Sequence, residues 1–268
     1  MTLDLDPARS ERNIQLDGTA LVTGGDSGIG RAISLGLARA GARVVIDYHG
    51  ADDGAARALV REIEGFGGRA TAIRADVSDP GQVERLIGHA VTTFGGLDII
   101  VNNAGLEEQH PFLETPLAAW SRVIAVDLTG VWLCSQGAAR QMVAQGRGGR
   151  IINISSIHED VAMPTNAPYC AAKGGVRMLM RTLAVELAPH GITVNNICPG
   201  AINTKMDARL KVEPDAFEVL LDEIPLHRMG QPDEVAGVCV FLASAAGAYV
   251  TGASYVIDGG MSRNAGSL

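Results

Sequence analysis

From Gly18 onward, short runs of consecutive apolar residues alternate with longer stretches whose apolar positions recur every three to four residues, and glycine separates the two patterns. Thr19-Ala-Leu-Val-Thr23 is the first run, too short for an amphipathic helix, and it reads as a buried strand. Gly28 to Ala40 has helical periodicity and stops at Gly41, a residue suited to leaving a helix in the left-handed conformation. The pair of patterns then repeats: a strand from Arg43 to Tyr48 with a helix through about Phe66, a strand from Arg69 to Ala75 with a helix from Asp79 to Phe94, and a strand from Leu97 to Val101 ending at Asn102-Asn-Ala-Gly105. Pro116 opens a long helix through Gln145, a strand follows at 150–155, Pro168 opens a helix from Tyr169 to Leu187, and a strand runs from Thr193 to Cys198. This alternation predicts an α/β protein of Rossmann type, a doubly wound parallel sheet with helices on both faces, because parallel strands need a crossover and a helix provides it. The chain shows no linker and no repeat beyond the βα unit, so the expected organisation is an extension over 1–17 and a single domain over 18–268.

Composition narrows the class. With 47% hydrophobic residues among 268, there is enough apolar material for a sizeable core and too little chain for a second one. The net charge of -8, with no basic run, argues against nucleic acid as a partner. Met1 to Leu16 is charged and lacks an apolar h-region, which reads as a soluble extension and not a signal peptide. No apolar run approaches the roughly 20 residues of a membrane span, so a cytoplasmic protein with a small-molecule substrate is expected. Cys134, Cys170, Cys198 and Cys239 show neither CxxC pairing nor a histidine at ligand spacing, which predicts reduced thiols and no metal.

In an open parallel sheet, ligands collect beyond the carboxyl ends of the strands, and the candidate chemistry falls there. Thr23-Gly-Gly-Asp-Ser-Gly-Ile-Gly30 joins the first strand to the first helix, with the spacing Gly-x-x-x-Gly-x-Gly in place of the commoner Gly-x-Gly-x-x-Gly. Its glycines let the backbone approach a pyrophosphate resting on a helix N-terminus, which carries about half a positive charge. Such a loop alone is also a plain turn; Asp76-Val77 after the third strand and Asn102-Asn-Ala-Gly105 after the fourth favour a dinucleotide crevice. Ser156 ends its strand, and Tyr169 and Lys173 stand four apart on one helix face. A phenol ionises near pH 10, and lowering that by about three units needs about 4 kcal/mol of preferential stabilisation, for which a neighbouring ammonium has the right sign. Ser156 is suited to hydrogen-bond the substrate oxygen whose proton the phenol takes or gives. Taken singly, the three are as readily surface and capping residues.

Together these motifs resemble the short-chain dehydrogenase/reductase family, over about Gly18 to Met261: Thr23-Gly24-x-x-x-Gly28-Ile29-Gly30, Asn102-Asn103-Ala104-Gly105, Ser156 with Tyr169 and Lys173, and Pro199-Gly200. The resemblance implies NAD or NADP as cofactor. Gly24, Asp26, Ser27, Gly28, Ile29 and Gly30 would form the pyrophosphate loop, Asp76 and Val77 would lie near adenine, and Asn103, Ala104 and Gly105 near the adenine ribose. Tyr169 and Lys173 would also grip the nicotinamide ribose, with Pro199, Gly200, Ile202 and Thr204 bordering the ring. It further implies a homotetramer paired through helices matching 116–145 and 169–188. Within the family the chain is most similar to bacterial glucose 1-dehydrogenases, through Asn103-Ala-Gly-Leu-Glu107, Ser155-Ser-Ile-His-Glu159, Asn195-Asn-Ile-x-Pro-Gly-Ala-Ile-Asn-Thr204 and Tyr249-Val-Thr-Gly252. That likeness implies oxidation of an aldose at C1, glucose by preference, with Glu107, His158 and Asn203 lining a sugar pocket. A loop residue bonded to backbone is the blander reading of His158, and Glu108 and Glu159 read as solvated charges.

Two departures from the family pattern matter. The Asn-Leu-x-Gly of the long helix is here Asp127-Leu-Thr-Gly130. The family asparagine helps to hold a water that relays protons from the lysine, chiefly through its main-chain carbonyl; an aspartate keeps that carbonyl and the shape but adds a charge, so activity is expected to survive with an altered pH profile. At the end of the second strand, Asp47-Tyr48-His49 replaces the Asn-Tyr-Arg common in phosphate-accepting relatives, while the usual acidic position aligns with Tyr48. With Asp26 also acidic, the expectation leans to NAD, dual use remaining open. Two rivals stand beside the dehydrogenase reading: a reductase of another carbonyl such as a ketoacyl thioester or aldehyde, and a dinucleotide sensor without turnover. A thioester carrier would want basic residues at the mouth, where the chain offers Lys205, Arg209, Lys211 and Arg228; a sensor would have no use for Ser156, Tyr169 and Lys173 in register.

Overall fold

The structure is a computed structural model that describes residues 14–204 and 214–264; most of the expected N-terminal extension, and Lys205, Arg209 and Lys211, lie outside the described residues. Seven strands form one sheet: β1 (Thr19–Val22), β2 (Arg43–Tyr48), β3 (Arg69–Arg74), β4 (Ile99–Asn102), β5 (Gly149–Ile154), β6 (Ile192–Pro199) and β7 (Ser254–Ile257). Their order is β3-β2-β1-β4-β5-β6-β7 and every neighbouring pair is parallel, the doubly wound topology expected. The chain winds outward from β1 to β2 and β3, then crosses back to β4 on the other side of β1, so the winding reverses there and a crevice opens beyond the carboxyl ends of β1 and β4.

Strand alternation sorts the core into two layers. Ala20, Val22, Val44, Ile46, Ile99, Val101 and Ile152 pack with α1 (Gly28–Arg39), α2 (Gly54–Gly65) and α8 (Pro232–Ala243). Leu21, Val45, Ile100, Ile151 and Val194 point the other way, onto α3 (Pro80–Phe94), α5 (Val131–Gln145) and α6 (Ala167–Leu187). Helix α7 (Pro214–Glu223), α8 and β7 extend the predicted set of elements. For α8 a local signal exists: Pro232 in its first turn, and a capping box in which Gln231 and Glu234 bond each other's backbone. β7, with only four residues, gives no comparable signal.

The long helix differs from the uniform rod expected. It is α4 (Leu117–Ile124), one widened π-type turn over Ala125–Gly130, and then α5, and Asp127 sits in the widened turn. Such insertions recur at functional sites because they rotate one side chain out of the regular helical register. Contrary to the expectation that no stretch is long and apolar enough to cross a membrane, Leu117–Gln145 is, by length and composition. One face of it is buried, through Val123, Cys134, Ala138 and Met142, while Leu117, Trp120, Trp132 and Val143 are exposed.

Candidate active site

A cleft of about 780 Å³ opens beyond the carboxyl ends of β1, β2, β4, β5 and β6, and the predicted motifs meet in it. At one end is the turn from β1 into α1. Gly28 is left-handed at φ +50, and a Cβ on Gly30 would overlap the Gly24 carbonyl and stand 2.5 Å from Asn103 Nδ2. The turn is held by main chain and by two side chains. Gly25 N donates to Asp47 O at 2.7 Å and Gly24 N to Asp47 Oδ2 at 3.3 Å, while Asn103 Nδ2 donates to the carbonyls of Thr23 and Gly24 at 2.9 and 3.0 Å. Asn103 therefore staples the loop to the end of β4, and Ala104 N and Asn103 N both donate to Thr23 Oγ1. Helix α1 starts without a side-chain cap or an acid in its first turn, so the amides of Gly28, Ile29 and Gly30 are presented to the cleft. An anionic pyrophosphate fits such a cradle in both charge and clearance.

Beyond the glycine turn the cleft is bordered by Asp26, Ser27, Asp47, His49, Asp76 and Val77. Asp47 corrects one expectation: it does not face outward to read a ribose. It is buried, accepts from Gly24 N and from Ala75 N at 3.1 Å, and burial pushes its carboxyl up to about 7, with those two bonds opposing. Tyr48 corrects another, since it does not line the cleft; strand alternation directs Asp47 and His49 to one side and Tyr48 to the other. The Ser78 hydroxyl at 2.6 Å holds the Asp76 carboxyl below its ordinary value, so a full negative charge stands at this end.

At the other end Ser156, Tyr169, Lys173 and Asp127 converge. Ser156 follows β5 and accepts from His158 N at 3.1 Å, and its hydroxyl bonds the Tyr169 phenol. Lys173 lies one helical turn beyond Tyr169, its Nζ 5.2 Å from the centre of the phenol ring and 3.3 Å from the Ile154 carbonyl it donates to. Asp127 Oδ2 is 3.2 Å from the same Nζ, and Asp127 Oδ1 accepts from Leu106 N at 2.9 Å. Burial pulls the lysine down, but the Asp127 carboxylate and Tyr169 outweigh it and the ammonium is stabilised. Burial pushes the Asp127 carboxyl up, with Lys173 opposing. The phenol departs from expectation in sign. Burial raises it above its ordinary value, and the lysine and Ser156, though they act downward as expected, do not reverse that.

The wall around this trio is mixed. Glu107 and His158 line it, together with Pro199, Gly200, Ile202 and Thr204, with Leu106 from the Asn103–Glu107 motif, and with Met163, Leu220 and Met261, to which no role was given. His158 combines the two readings given above. Its Nδ1 lies 3.0 Å from the Val161 carbonyl, which can only accept, so Nδ1 carries the proton and Nε2 is an acceptor. Asn203 is not in the cleft wall: its amide nitrogen bonds Gly230 O at 2.9 Å and its side chain approaches Gln231. Glu159 is not solvated either. It is buried, accepts from Asn196 Nδ2 at 2.9 Å and Ser254 Oγ at 2.5 Å, and lies 3.7 Å from Arg177. Through Asn196 it ends a buried chain of side-chain bonds, Asn102 to Asn153 to Asn196, that ties β4, β5 and β6 together just below the cleft.

The comparisons agree with this geometry. A family model described as enoyl-(acyl carrier protein) reductase matches residues 24–262. L-rhamnose 1-dehydrogenase (NAD(P)(+)) of Azotobacter vinelandii is 43% identical over 92% of this chain and 97% of its own. A short-chain type dehydrogenase/reductase from Mycobacterium marinum superposes with a TM-score of 0.87 at 40% identity, covering 93% of this chain and 97% of that one. A gluconate 5-dehydrogenase from Burkholderia cenocepacia, solved with NADP and tartrate, gives 0.90 at 36% identity, covering 95% and 99%. With a doubly wound sheet, a glycine turn onto α1, and a serine, tyrosine and lysine meeting over one cleft, the chain belongs to the short-chain dehydrogenase/reductase family.

Proposed function

We propose that this protein is an NAD(P)-dependent dehydrogenase that oxidises an aldose at C1. The observation that carries the reading is the joining of Ser156, Tyr169 and Lys173 in the same cleft as the glycine turn, one set for chemistry and one for a dinucleotide. When bound, the nicotinamide supplies the hydride acceptor. Tyr169 takes the proton of the C1 hydroxyl while the carbon gives up its hydride, and Ser156 holds the same oxygen in line. Lys173 keeps positive charge beside the phenolate that must form. Because burial raises the phenol, the deprotonated base gains population as pH rises, and kcat/KM should climb through the alkaline range. A profile flat from neutrality upward would remove Tyr169 from the role of base.

An aldose suits this wall better than an acid does. Glu107 would repel a substrate carboxylate, whereas its oxygens and the Nε2 of His158 are acceptors for sugar hydroxyls. The Azotobacter relative is named for L-rhamnose, and the likeness to glucose dehydrogenases rested in part on Asn203, which lies outside the wall. The reading is therefore of a neutral aldose, with rhamnose and glucose first in a panel of sugars. Both coenzymes are taken in this reading, with NAD the better suited: Asp47 is turned under the glycine loop, and the carboxylates of Asp26 and Asp76 stand with the His49 imidazole at the adenosine end.

The test is Tyr169→Phe, which should abolish turnover of every sugar in the panel and leave binding of NAD(P)H nearly intact. A variant that loses both would assign Tyr169 a structural part. The carbonyl-reductase rival has less support among the described residues: Arg228, a candidate for holding an acidic carrier, is bound to Glu234 by two bonds of 2.8 and 2.7 Å. We also assign the exposed apolar residues of α4, α5 and α6, Leu117 and Val185 at 77% exposure with Trp120, Trp132 and Met178, to subunit contacts of a homotetramer. Light scattering on the purified chain tests that assignment, and a monomer would refute it.

A further inference from the structure

Asp127 places a second charge on the catalytic lysine, and its consequence falls on the redox state of the coenzyme. Its carboxylate is buried and anchored by Leu106 N at 2.9 Å, and its other oxygen has no hydrogen-bond partner beyond the Lys173 ammonium 3.2 Å away. The remaining bond of Lys173 goes to a neutral carbonyl, that of Ile154. Lysine and aspartate thus form a closed pair, and wherever the proton sits between them the pair has no net charge. Of the other ionisable groups of that part of the cleft, Tyr169 also feels the Asp127 charge and Glu107 interacts with it, so the two coenzyme forms are to be compared at neutral pH, where burial keeps the phenol protonated with or without that charge.

An oxidised nicotinamide ring is a cation and a reduced one is neutral. An uncompensated ammonium next to the ring would disfavour the first and ignore the second; a neutral pair removes the penalty. Resting on the dehydrogenase reading above, we propose that Asp127 biases the site toward the oxidised coenzyme, by cancelling the charge of Lys173 where a pyridinium ring must bind. Asp127 is a positioning residue in this scheme, acting through Lys173 and touching no substrate. The bias favours capture of the oxidised coenzyme and release of the reduced one, against a hydride transfer made less favourable on the enzyme by the same factor. At an effective dielectric of about 20, a unit charge about 12 Å away shifts a binding constant by about tenfold, and a nearer one shifts it by more.

The variant Asp127→Asn isolates the charge, because an amide oxygen can still accept from Leu106 N and the loop at Gly105 stays anchored. Dissociation constants for NAD(P)+ and NAD(P)H should be measured side by side by calorimetry, with a thermal melt to verify folding. The expected result is NAD(P)+ weakened by at least about tenfold and NAD(P)H unchanged. Adding Lys173→Met should return the ratio of the two constants to near the wild-type value, even though both forms then bind more weakly for want of the lysine. An unchanged ratio in Asp127→Asn, or a double variant that keeps the single variant's ratio, overturns the proposal. Should the wild type bind neither form, the dehydrogenase reading fails with it; should it bind both with a ratio insensitive to residue 127, only this inference fails.

Discussion

On one side of the cleft the floor is main chain: a glycine turn, the first amides of α1 and the ends of β1 and β4, laced together by Asp47, Asn103 and Thr23. On the other side the wall is side chain, supplied by the stretches around Glu107 and His158, by Met163, and by Leu220 and Met261 from distant parts of the chain. The first side meets a group common to every reaction of its kind, so its geometry is fixed by backbone and tolerates almost no added atom. The second meets a substrate, and its side chains are held by packing or, as His158 is by the Val161 carbonyl, by a single bond that another residue type could also make. Damage to the floor should therefore be large and independent of the sugar, while damage to the wall should be small and specific to it.

The largest effect should come from beneath the floor, at Asp47. Its carboxyl, pushed up to about 7 by burial, keeps a proton in the fold that it would release near pH 4 in the unfolded chain. The folded state then holds the extra proton between about pH 4 and pH 7, so the stability Asp47 contributes is complete below that window and is lost as pH rises through it. At about 1.4 kcal/mol per unit the loss is on the order of 4 kcal/mol. Urea unfolding from pH 4 to 8 should show wild type weakening relative to Asp47→Asn across that range. Parallel curves would mean that the carboxyl is ionised in the fold throughout.

Next comes Gly30. A methyl there meets the Gly24 carbonyl and Asn103 Nδ2 at once, neither of which can withdraw without opening the turn. Gly30→Ala should cost about 3 kcal/mol, as overpacking does, and reduce binding of NAD and NADP alike, whichever sugar is offered. Coenzyme affinity within a factor of two of wild type would show that the loop is not the cradle.

How well each side could be read from sequence follows the same division. Gly28 and Gly30 were legible because a left-handed turn and a close approach admit only glycine, and Ser156, Tyr169 and Lys173 because a helical turn sets the spacing of the last two. Tyr48 misled because a one-residue offset at a strand end exchanges the inward and outward faces. Asn203 misled because a motif gives proximity and not direction; its bonds run to Gly230 and Gln231. The sign of the phenol's shift was hidden because burial, its largest cause, comes from packing that no local window contains. Glu159 was hidden for the same reason: it sits beside Asp160 in a polar stretch, and the partners that bury it are 37 and 95 positions away.

Glu159 joins the two sides, since its bonds to Asn196 and Ser254 fix the turn that carries Ser156 and His158. Glu159→Gln keeps an acceptor for one of them and removes the charge facing Arg177, which should cost about 2 kcal/mol of stability, the usual worth of a hydrogen bond to a charged group. Turnover should fall with all sugars because Ser156 shifts, and any further loss specific to one sugar should not exceed that of His158→Ala, since His158 rides on the same turn. A loss confined to one sugar would put Glu159 in contact with substrate.

The smallest effect, and the one that most sharpens the contrast, belongs to His158. Its Nδ1 is committed to the Val161 carbonyl, so the ring is held in one tautomer and offers Nε2 as an acceptor to a substrate hydroxyl. Removing that acceptor by His158→Ala forfeits one neutral hydrogen bond, about 1 kcal/mol, and so raises KM by about fivefold for a sugar with a hydroxyl in reach. It should leave NAD(P)+ binding alone, because the floor has no contact with the ring. His158→Gln restores a side-chain acceptor and should recover part of the loss, which a bare cavity would not. The decisive comparison is between an aldose and its deoxy analogue at each ring position. The position at which wild type discriminates and His158→Ala no longer does is the hydroxyl that His158 reads. If every analogue loses equally, His158 acts by shaping the loop around Ser156, and the sugar must be recognised elsewhere on the wall, with Glu107 the first residue to test in the same way.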